Sequence, residues 1–211
     1  MAQHPTTLTD RVRRLTEGLM RRLGTRLYRS GVHPDMITIL GLIIVAVASV
    51  FIARGDFVLG AAILFIGLPL DAVDGAIARA MQRTDRFGAM LDSSLDRYAD
   101  GFIFVALSYY FAVRDAHGLM LLALAALVGS FMVSYMRARG EGVEVDVKIG
   151  MFSRLERVIV ILVMLLLPDV FGLPVLEVGI LLLAVGTNFT ALQRLWFVYH
   201  ALQVAQQGEE K

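Results

Sequence analysis

The stretch MITILGLIIVAVASVFIA, residues 36–53, runs 18 residues without a charge. With its flanks it is long enough to cross the hydrocarbon core of a bilayer as a helix. Phe57–Leu70 opens a second apolar run, which ends on Asp71 and Asp74. A third helix starts near Gly88, because Gly101–Val113 is uncharged and a span needs roughly 20 residues in all. Gly118–Met136, Val158–Pro168 and Val178–Gln193 supply the fourth, fifth and sixth. The 211-residue chain is 57% hydrophobic with mean hydropathy +0.67, against about 45–50% apolar residues in soluble domains. The expected fold is an all-α integral membrane protein, with six transmembrane helices in residues 34–202. An ordinary cytosolic enzyme is excluded.

Charge placement sets the expected orientation. Of the 20 lysines and arginines, Arg11, Arg13, Arg14, Arg21, Arg22, Arg26 and Arg29 precede the first span. Arg79, Arg83 and Arg86 surround the second-to-third turn, and Arg137, Arg139, Lys148, Arg154 and Arg157 surround the fourth-to-fifth loop. The alternate loops hold Arg54 and Arg114. By the positive-inside rule the basic side is cytoplasmic, with both termini there, in a multi-pass protein of the cell membrane. No secretory signal is evident in the first 30 residues, which lack a compact apolar region with a cleavage site.

In the arm, residues 1–33, Leu8, Val12, Leu15, Leu19, Leu23 and Leu27 recur at helical spacing among arginines. Thr7 and Asp10 are spaced to cap that helix. This pattern predicts an amphipathic helix lying on an anionic membrane surface. Residues 203–211 are polar and read as a flexible tail. There is no cysteine, which excludes disulfides, thiolate metal sites and cysteine nucleophiles. Nothing in the chain points to a nucleic-acid partner.

Ionised carboxylates are costly within a membrane and mark paired or functional sites. This chain has Asp71 and Asp74 on one helix and Asp92 and Asp96 on the next. Spacings of three and four put each pair on one helix face. The short connection makes the two helices antiparallel neighbours. Four such carboxylates repel one another, and divalent cations neutralise them; oxygen-only ligation selects Mg²⁺, Mn²⁺ or Ca²⁺. Gly75 and Ala78 let a ligand approach the backbone, and Arg79 can grip a pyrophosphate with its fork. Two metals bridged by phosphoryl oxygens make a site for in-line displacement at phosphorus. The competing class is a cation transporter, since intramembrane carboxylates also mark ion pathways. Against it, the aspartates lie toward one end of their helices, and no inverted repeat is visible.

The pattern Asp71-x-x-Asp74-Gly75-x-x-Ala78-Arg79, then Gly88-x-x-x-Asp92-x-x-x-Asp96, resembles the signature of the CDP-alcohol phosphotransferases (CDP-alcohol phosphatidyltransferases). The resemblance extends from roughly Leu23 to His200. It implies an amphipathic helix followed by six spans, usually in a homodimer. The implied reaction transfers a phosphatidyl group from a CDP-linked lipid such as CDP-diacylglycerol to an alcohol, with release of CMP. Asp71, Asp74, Asp92 and Asp96 would hold two divalent cations, Mg²⁺ or Mn²⁺, and Asp96 would also act as general base. Gly75, Ala78 and Arg79 would contact the CDP-lipid. So would His33-Pro34-Asp35-Met36, which resembles the family's entry segment, and Asp85, where members often carry Ser or Thr.

Ser134-Tyr135-Met136-Arg137-Ala138-Arg139-Gly140-Glu141 is similar to a segment of two branches, the phosphatidylinositol-phosphate and the phosphatidylglycerophosphate synthases. Arg154, with Glu156 and Arg157 following, and Gln193-Arg194-Leu195 also resemble the first branch. That resemblance makes Arg137, Arg154 and Arg194 the expected grip on an acceptor phosphate. It puts inositol phosphate first and glycerol 3-phosphate second. Asp100 is expected to pair with Arg97 or with an arginine of a neighbouring helix. Tyr109, Tyr110 and Trp196 read as aromatic residues of the membrane interface.

Overall fold

The computed structural model describes residues 22, 25, 26, 29–31, 33–80, 86–169 and 173–209; within them, the side chains of 68, 69, 71–76, 78–80, 86 and 205–209 lie outside the description. Most of the expected amphipathic helix of residues 1–33, its Thr7–Asp10 cap, and Asp85 fall outside the described residues. Among the described residues from Pro34 onward six helices follow one another: α1 Pro34–Arg54, α2 Phe57–Ala80, α3 Arg86–Ala112, α4 His117–Glu141, α5 Arg154–Leu166 and α6 Val175–Glu209.

Six helices were expected, and three of them, Pro34–Arg54, His117–Glu141 and Val175–Val204, are long and apolar enough to cross a membrane on their own. Of the others, α3 and α5 fall short for separate physical reasons, while the described apolar part of α2 is Phe57–Gly67. The first half of α3 carries Asp92, Asp96, Arg97 and Asp100. With 13 residues, α5 is about 20 Å long, short of a hydrocarbon core of about 30 Å.

Two ends differ from the sequence reading. Helix α5 begins at Arg154, four residues before the expected Val158, so Arg154, Glu156 and Arg157 lie within it. Its N-cap is Ser153, in extended conformation, and the Ser153 hydroxyl donates to the Glu156 carboxylate. Helix α6 continues past Gln203, where the flexible tail was expected to begin, as far as Glu209. Leu, Gln, Val and Ala in that stretch are compatible with helix, and Gln203 Nε2 donates to Tyr199 Oη at 2.7 Å, one turn back.

The chain divides into two compact units. The first comprises the described residues up to Val47 together with Ala62–Ala99. Pro34 opens α1, where its fixed φ suits a helix start and its missing N–H breaks no bond. Asp35 stands in the first turn, favourable to the helix dipole. Small residues bring α1 and α2 together: a Cβ on Gly67 would lie 3.0 Å from Ile44 Cγ2, and one on Gly41 would lie 3.9 Å from Leu70 Cβ. Close approach at small residues is how helices pack where lipid removes the hydrophobic drive between them.

The second unit comprises Ala48–Ala61 and the chain from Asp100 onward. The α1–α2 turn uses Gly55 at φ +92°, a left-handed conformation that glycine adopts without a Cβ clash. The Phe57 ring packs edge-on against Tyr110 at 4.6 Å, and the Arg114 guanidinium lies over the Tyr110 ring at 3.8 Å. Tyr110 is thus a packing residue, whereas Tyr109 and Trp196 are exposed. Phe104, Leu107, Ile161, Met164, Leu165, Ile180 and Leu183 form the buried apolar core.

The α4–α6 seam is built on Gly129, whose Cβ position is occupied by Thr187 and Asn188 of α6. Asn188 Nδ2 donates to Ala125 O of α4 at 2.9 Å and to Ala184 O at 2.8 Å. A side-chain amide satisfied on both helices fixes their register as well as their separation.

Candidate active site

All four expected metal-binding aspartates belong to the first unit. Asp71 and Asp74 stand three residues apart on α2, followed by Gly75, Ala78 and Arg79; these side chains lie outside the described set. Asp92 and Asp96 stand four apart on α3, one turn, and both are half-buried. The serines between them turn back on their own helix: Ser93 Oγ and Ser94 Oγ donate to Met90 O at 2.9 and 2.8 Å. Hydroxyls that bond the preceding turn make no claim on the carboxylates. Arg97 donates to Ser93 O, with Nη1 3.7 Å from Asp96 Oδ2. That pair is partly exposed and worth little by itself.

A donor set made only of carboxylates offers hard oxygens and suits Mg²⁺ or Mn²⁺. The residues therefore fit a hard divalent cation. Among the described residues no three acidic or histidine side chains come together; Asp92 and Asp96 provide two of the expected donors, and Asp71 and Asp74 are the other two. The entry segment lies in the same unit. There His33 Nδ1 is 3.3 Å from Asp35 Oδ2, Pro34 is buried, and Met36 is exposed.

The expected acceptor arginines all belong to the second unit. Arg194 is 6% exposed, in the middle of α6. Its Nε donates to Ile149 O at 2.8 Å and its Nη1 to Val133 O at 2.7 Å. Two of its nitrogens thus tie α6 to α4 and to the loop before α5. A buried cation is tolerable only when hydrogen-bonded in this way. Arg137 lies in the last part of α4, more than half exposed, with Nε 3.2 Å from Glu141 Oε1. Arg137 and Arg157 both lie close enough to Arg194 to repel it electrostatically. Arg154, the first residue of α5, is half-buried. The cluster around Arg194 therefore includes one arginine that was expected there, Arg137, and one that was not, Arg157.

Arg157, counted in the sequence among the basic residues around the fourth-to-fifth loop, is 3% exposed, and its Nη2 donates to Asp100 Oδ2 at 3.0 Å. Of the two partners expected for Asp100, the neighbouring-helix arginine is the one found. A usable signal was present in the sequence: Ser153-x-x-Glu156 has the spacing of a capping box. Starting the helix there turns Arg157 into an early helical residue rather than a loop residue.

Residues 31–198 match the CDP-alcohol phosphatidyltransferase family. The chain is 38% identical over 178 residues to the phosphatidylinositol phosphate synthase of Streptomyces avermitilis, covering 80% of this chain and 73% of that one. It is 35% identical over 177 residues to the archaetidylinositol phosphate synthase of Methanothermobacter thermautotrophicus, covering 83% and 87%. The crystal structure of the Mycobacterium tuberculosis phosphatidylinositol phosphate synthase with CDP-DAG bound superposes with a TM-score of 0.78 at 34% identity, covering 85% of this chain and 93% of that one. The same enzyme has been crystallised with manganese and citrate. The half-buried aspartates of α3, the helices around them and these likenesses lead to one assignment: the chain is a membrane protein of the CDP-alcohol phosphatidyltransferase family of enzymes.

Proposed function

We propose that the protein transfers a phosphatidyl group from CDP-diacylglycerol, or a related CDP-lipid, to a phosphorylated alcohol, myo-inositol phosphate first, with release of CMP. The observation that carries the choice of acceptor is Arg194, buried in the middle of an apolar helix with Arg137 and Arg157 close to it. Such a concentration of positive charge suits a phosphate dianion and is excessive for a neutral alcohol such as free inositol. Relatives that share about a third of its sequence carry the names phosphatidylinositol phosphate synthase and archaetidylinositol phosphate synthase, which supports the same reading. Glycerol 3-phosphate is the second acceptor, because the segment from Ser134 to Glu141 resembles both branches.

In this reading Asp71, Asp74, Asp92 and Asp96 hold two divalent cations, Mg²⁺ or Mn²⁺, which when bound neutralise the carboxylates and polarise the pyrophosphate of the donor. Asp96 takes the proton of the acceptor hydroxyl. The alkoxide oxygen forms a bond to the lipid-bearing phosphorus, the bond to the bridging oxygen breaks, and CMP leaves with that electron pair. His33, Pro34, Asp35, Met36, Gly75, Ala78, Arg79 and Asp85 hold the CDP-lipid. Arg137, Arg154 and Arg194 hold the acceptor phosphate. The protein works as a homodimer in the cell membrane, with both termini in the cytoplasm.

The test is CMP release by the purified protein in detergent with CDP-diacylglycerol and Mg²⁺ or Mn²⁺. Inositol 1-phosphate, glycerol 3-phosphate, inositol and serine are offered one at a time. Release with inositol 1-phosphate is the expected result. Release with glycerol 3-phosphate alone selects the other branch. Release only with inositol or serine refutes the role given to the arginines.

A further inference from the structure

The second unit buries a charged network that the reaction described above leaves without a role. Asp100 Oδ2 accepts from Arg157 Nη2 at 3.0 Å and from the hydroxyl of Ser130 on α4. Asp100 is 9% exposed, Arg157 3% and Ser130 fully buried. Arg157 Nη1 donates in turn to Phe152 O at 3.3 Å, while Phe152 N donates to Thr190 Oγ1 of α6 at 3.2 Å. Thr190 precedes Arg194 by one helical turn, and Arg194 donates to Ile149 O and to Val133 O. Val133 lies three residues after Ser130, so the polar contacts run through α3, α5, the loop and α6 and return to α4.

The segment 149–152 is thereby held at Ile149 by Arg194 and at Phe152 by both Arg157 and Thr190. It cannot relax without moving Arg194. A buried ion pair seldom adds net stability over a well-packed apolar alternative, so its presence points to orientation rather than to strength. It also has an electrostatic consequence. Arg157 repels Arg194, and the Asp100 carboxylate bonded to Arg157 offsets part of that repulsion.

We propose that Asp100 and Arg157 form a positioning pair that sets the segment 149–152 and Arg194 for the acceptor phosphate, with neither residue touching the substrate. This rests on reading Arg194 as an acceptor-phosphate residue. Asp100→Asn keeps the shape of the side chain and removes its charge. Ser130→Ala removes a single hydroxyl and keeps both charges, so it serves where the first variant folds poorly.

The test measures CMP release by the purified protein with CDP-diacylglycerol and Mn²⁺, varying inositol 1-phosphate and the donor in turn. For Asp100→Asn the acceptor KM should rise at least about tenfold, equivalent to about 1.4 kcal/mol. The donor KM and the kcat at saturating acceptor should stay within about threefold. Ser130→Ala should raise the acceptor KM about threefold, and Asp100→Glu should recover part of the loss. Amide hydrogen exchange, which needs no substrate, should quicken at Phe152 in Asp100→Asn while α4 remains protected.

A parent active on inositol 1-phosphate whose Asp100→Asn variant keeps the acceptor KM overturns the pair's role and leaves the proposed function intact. So does an acceptor KM that rises in Arg157→Lys but not in Asp100→Asn, because Arg157 would then bind the phosphate itself. A kcat and donor KM that shift along with the acceptor KM would show general loosening and also overturn it. A parent active only with unphosphorylated alcohols overturns the acceptor reading, and the pair's purpose with it.

Discussion

Replacing Gly150 by alanine tests the geometry of the arginine cluster at one methyl group. Gly150 sits in the loop before α5 at φ +128°, a region of backbone space that residues with a Cβ rarely enter. Forcing alanine into it costs on the order of 1–3 kcal/mol. The added methyl would also overlap Thr190 Cγ2 and approach Arg194 Nε to 3.3 Å. Thr190 is fully buried and β-branched, hence stiff at χ1, and rotating it away would break the bond from Phe152 N, worth about 1 kcal/mol.

These contributions overlap rather than add, and a total near 2–5 kcal/mol is expected. By the scale for soluble domains of about 200 residues, that lowers the unfolding temperature by roughly 5–15 °C. The acceptor KM should rise about tenfold, because Arg194 must shift by a few tenths of an ångström and loosen its bond to Ile149 O. Thermal unfolding in detergent reads the first effect and CMP release against inositol 1-phosphate the second. Gly118→Ala is the internal control: its Cβ meets nothing within 4 Å, so its unfolding temperature should match or slightly exceed the parent's. A Gly150→Ala protein equal to the parent in both measurements would refute the loop geometry and the link from Thr190 to Arg194.

Arg194→Lys keeps the charge but loses the fork that reaches two carbonyls from two nitrogens; a carbonyl left with poorer bonding should cost about 1–3 kcal/mol of stability, read by thermal unfolding, and the acceptor KM should rise. Equal stability would show that the two bonds do not hold α6 to α4. Stripping divalent cations with a chelator should abolish CMP release and added Mn²⁺ should restore it, while Asp96→Asn should stay inactive with the metal present; turnover by metal-free protein would contradict the carboxylate reading. Gly129→Ala brings a Cβ to 2.6 Å from Asn188 Nδ2 and 2.9 Å from Asn188 N. That overpacking outweighs the helix-propensity gain of about 1 kcal/mol, so the variant should unfold at lower temperature, and one that is stabilised would disprove the seam.

The parts of this molecule that were legible in the sequence are those fixed by local signals. The transmembrane region opens at Pro34, which begins α1, and Phe57 starts α2 as its apolar run predicts. The aspartate spacings on α2 and α3 follow directly from helical periodicity. What could not be read required long-range register. Asp100 and Arg157 are 57 positions apart, and no local pattern states which turn of α3 faces which turn of α5. Arg97, one of the two partners expected for Asp100, bonds Ser93 O and lies beside Asp96 instead. The early start of α5 was missed for a different reason. Apolar runs locate the lipid-facing part of a helix, whereas its first turn here is polar and is announced by Ser153 and Glu156.

The division of the chain into two units also divides the proposed chemistry. The aspartates and the entry segment, proposed to serve the CDP-lipid, belong to the first unit; Arg137, Arg154 and Arg194, proposed to serve the acceptor, belong to the second. Arg194 is fixed through backbone carbonyls, which persist through most side-chain substitutions, and Arg157 is fixed by one carboxylate and one carbonyl. Arg137, exposed and paired with Glu141 on its own helix, is the member least constrained by packing. In the proposed reading, acceptor preference rests on a rigid buried cation, Arg194, together with a more exposed one, Arg137. It follows that Arg137 is the position where a different phosphorylated alcohol could be accommodated at the smallest structural cost.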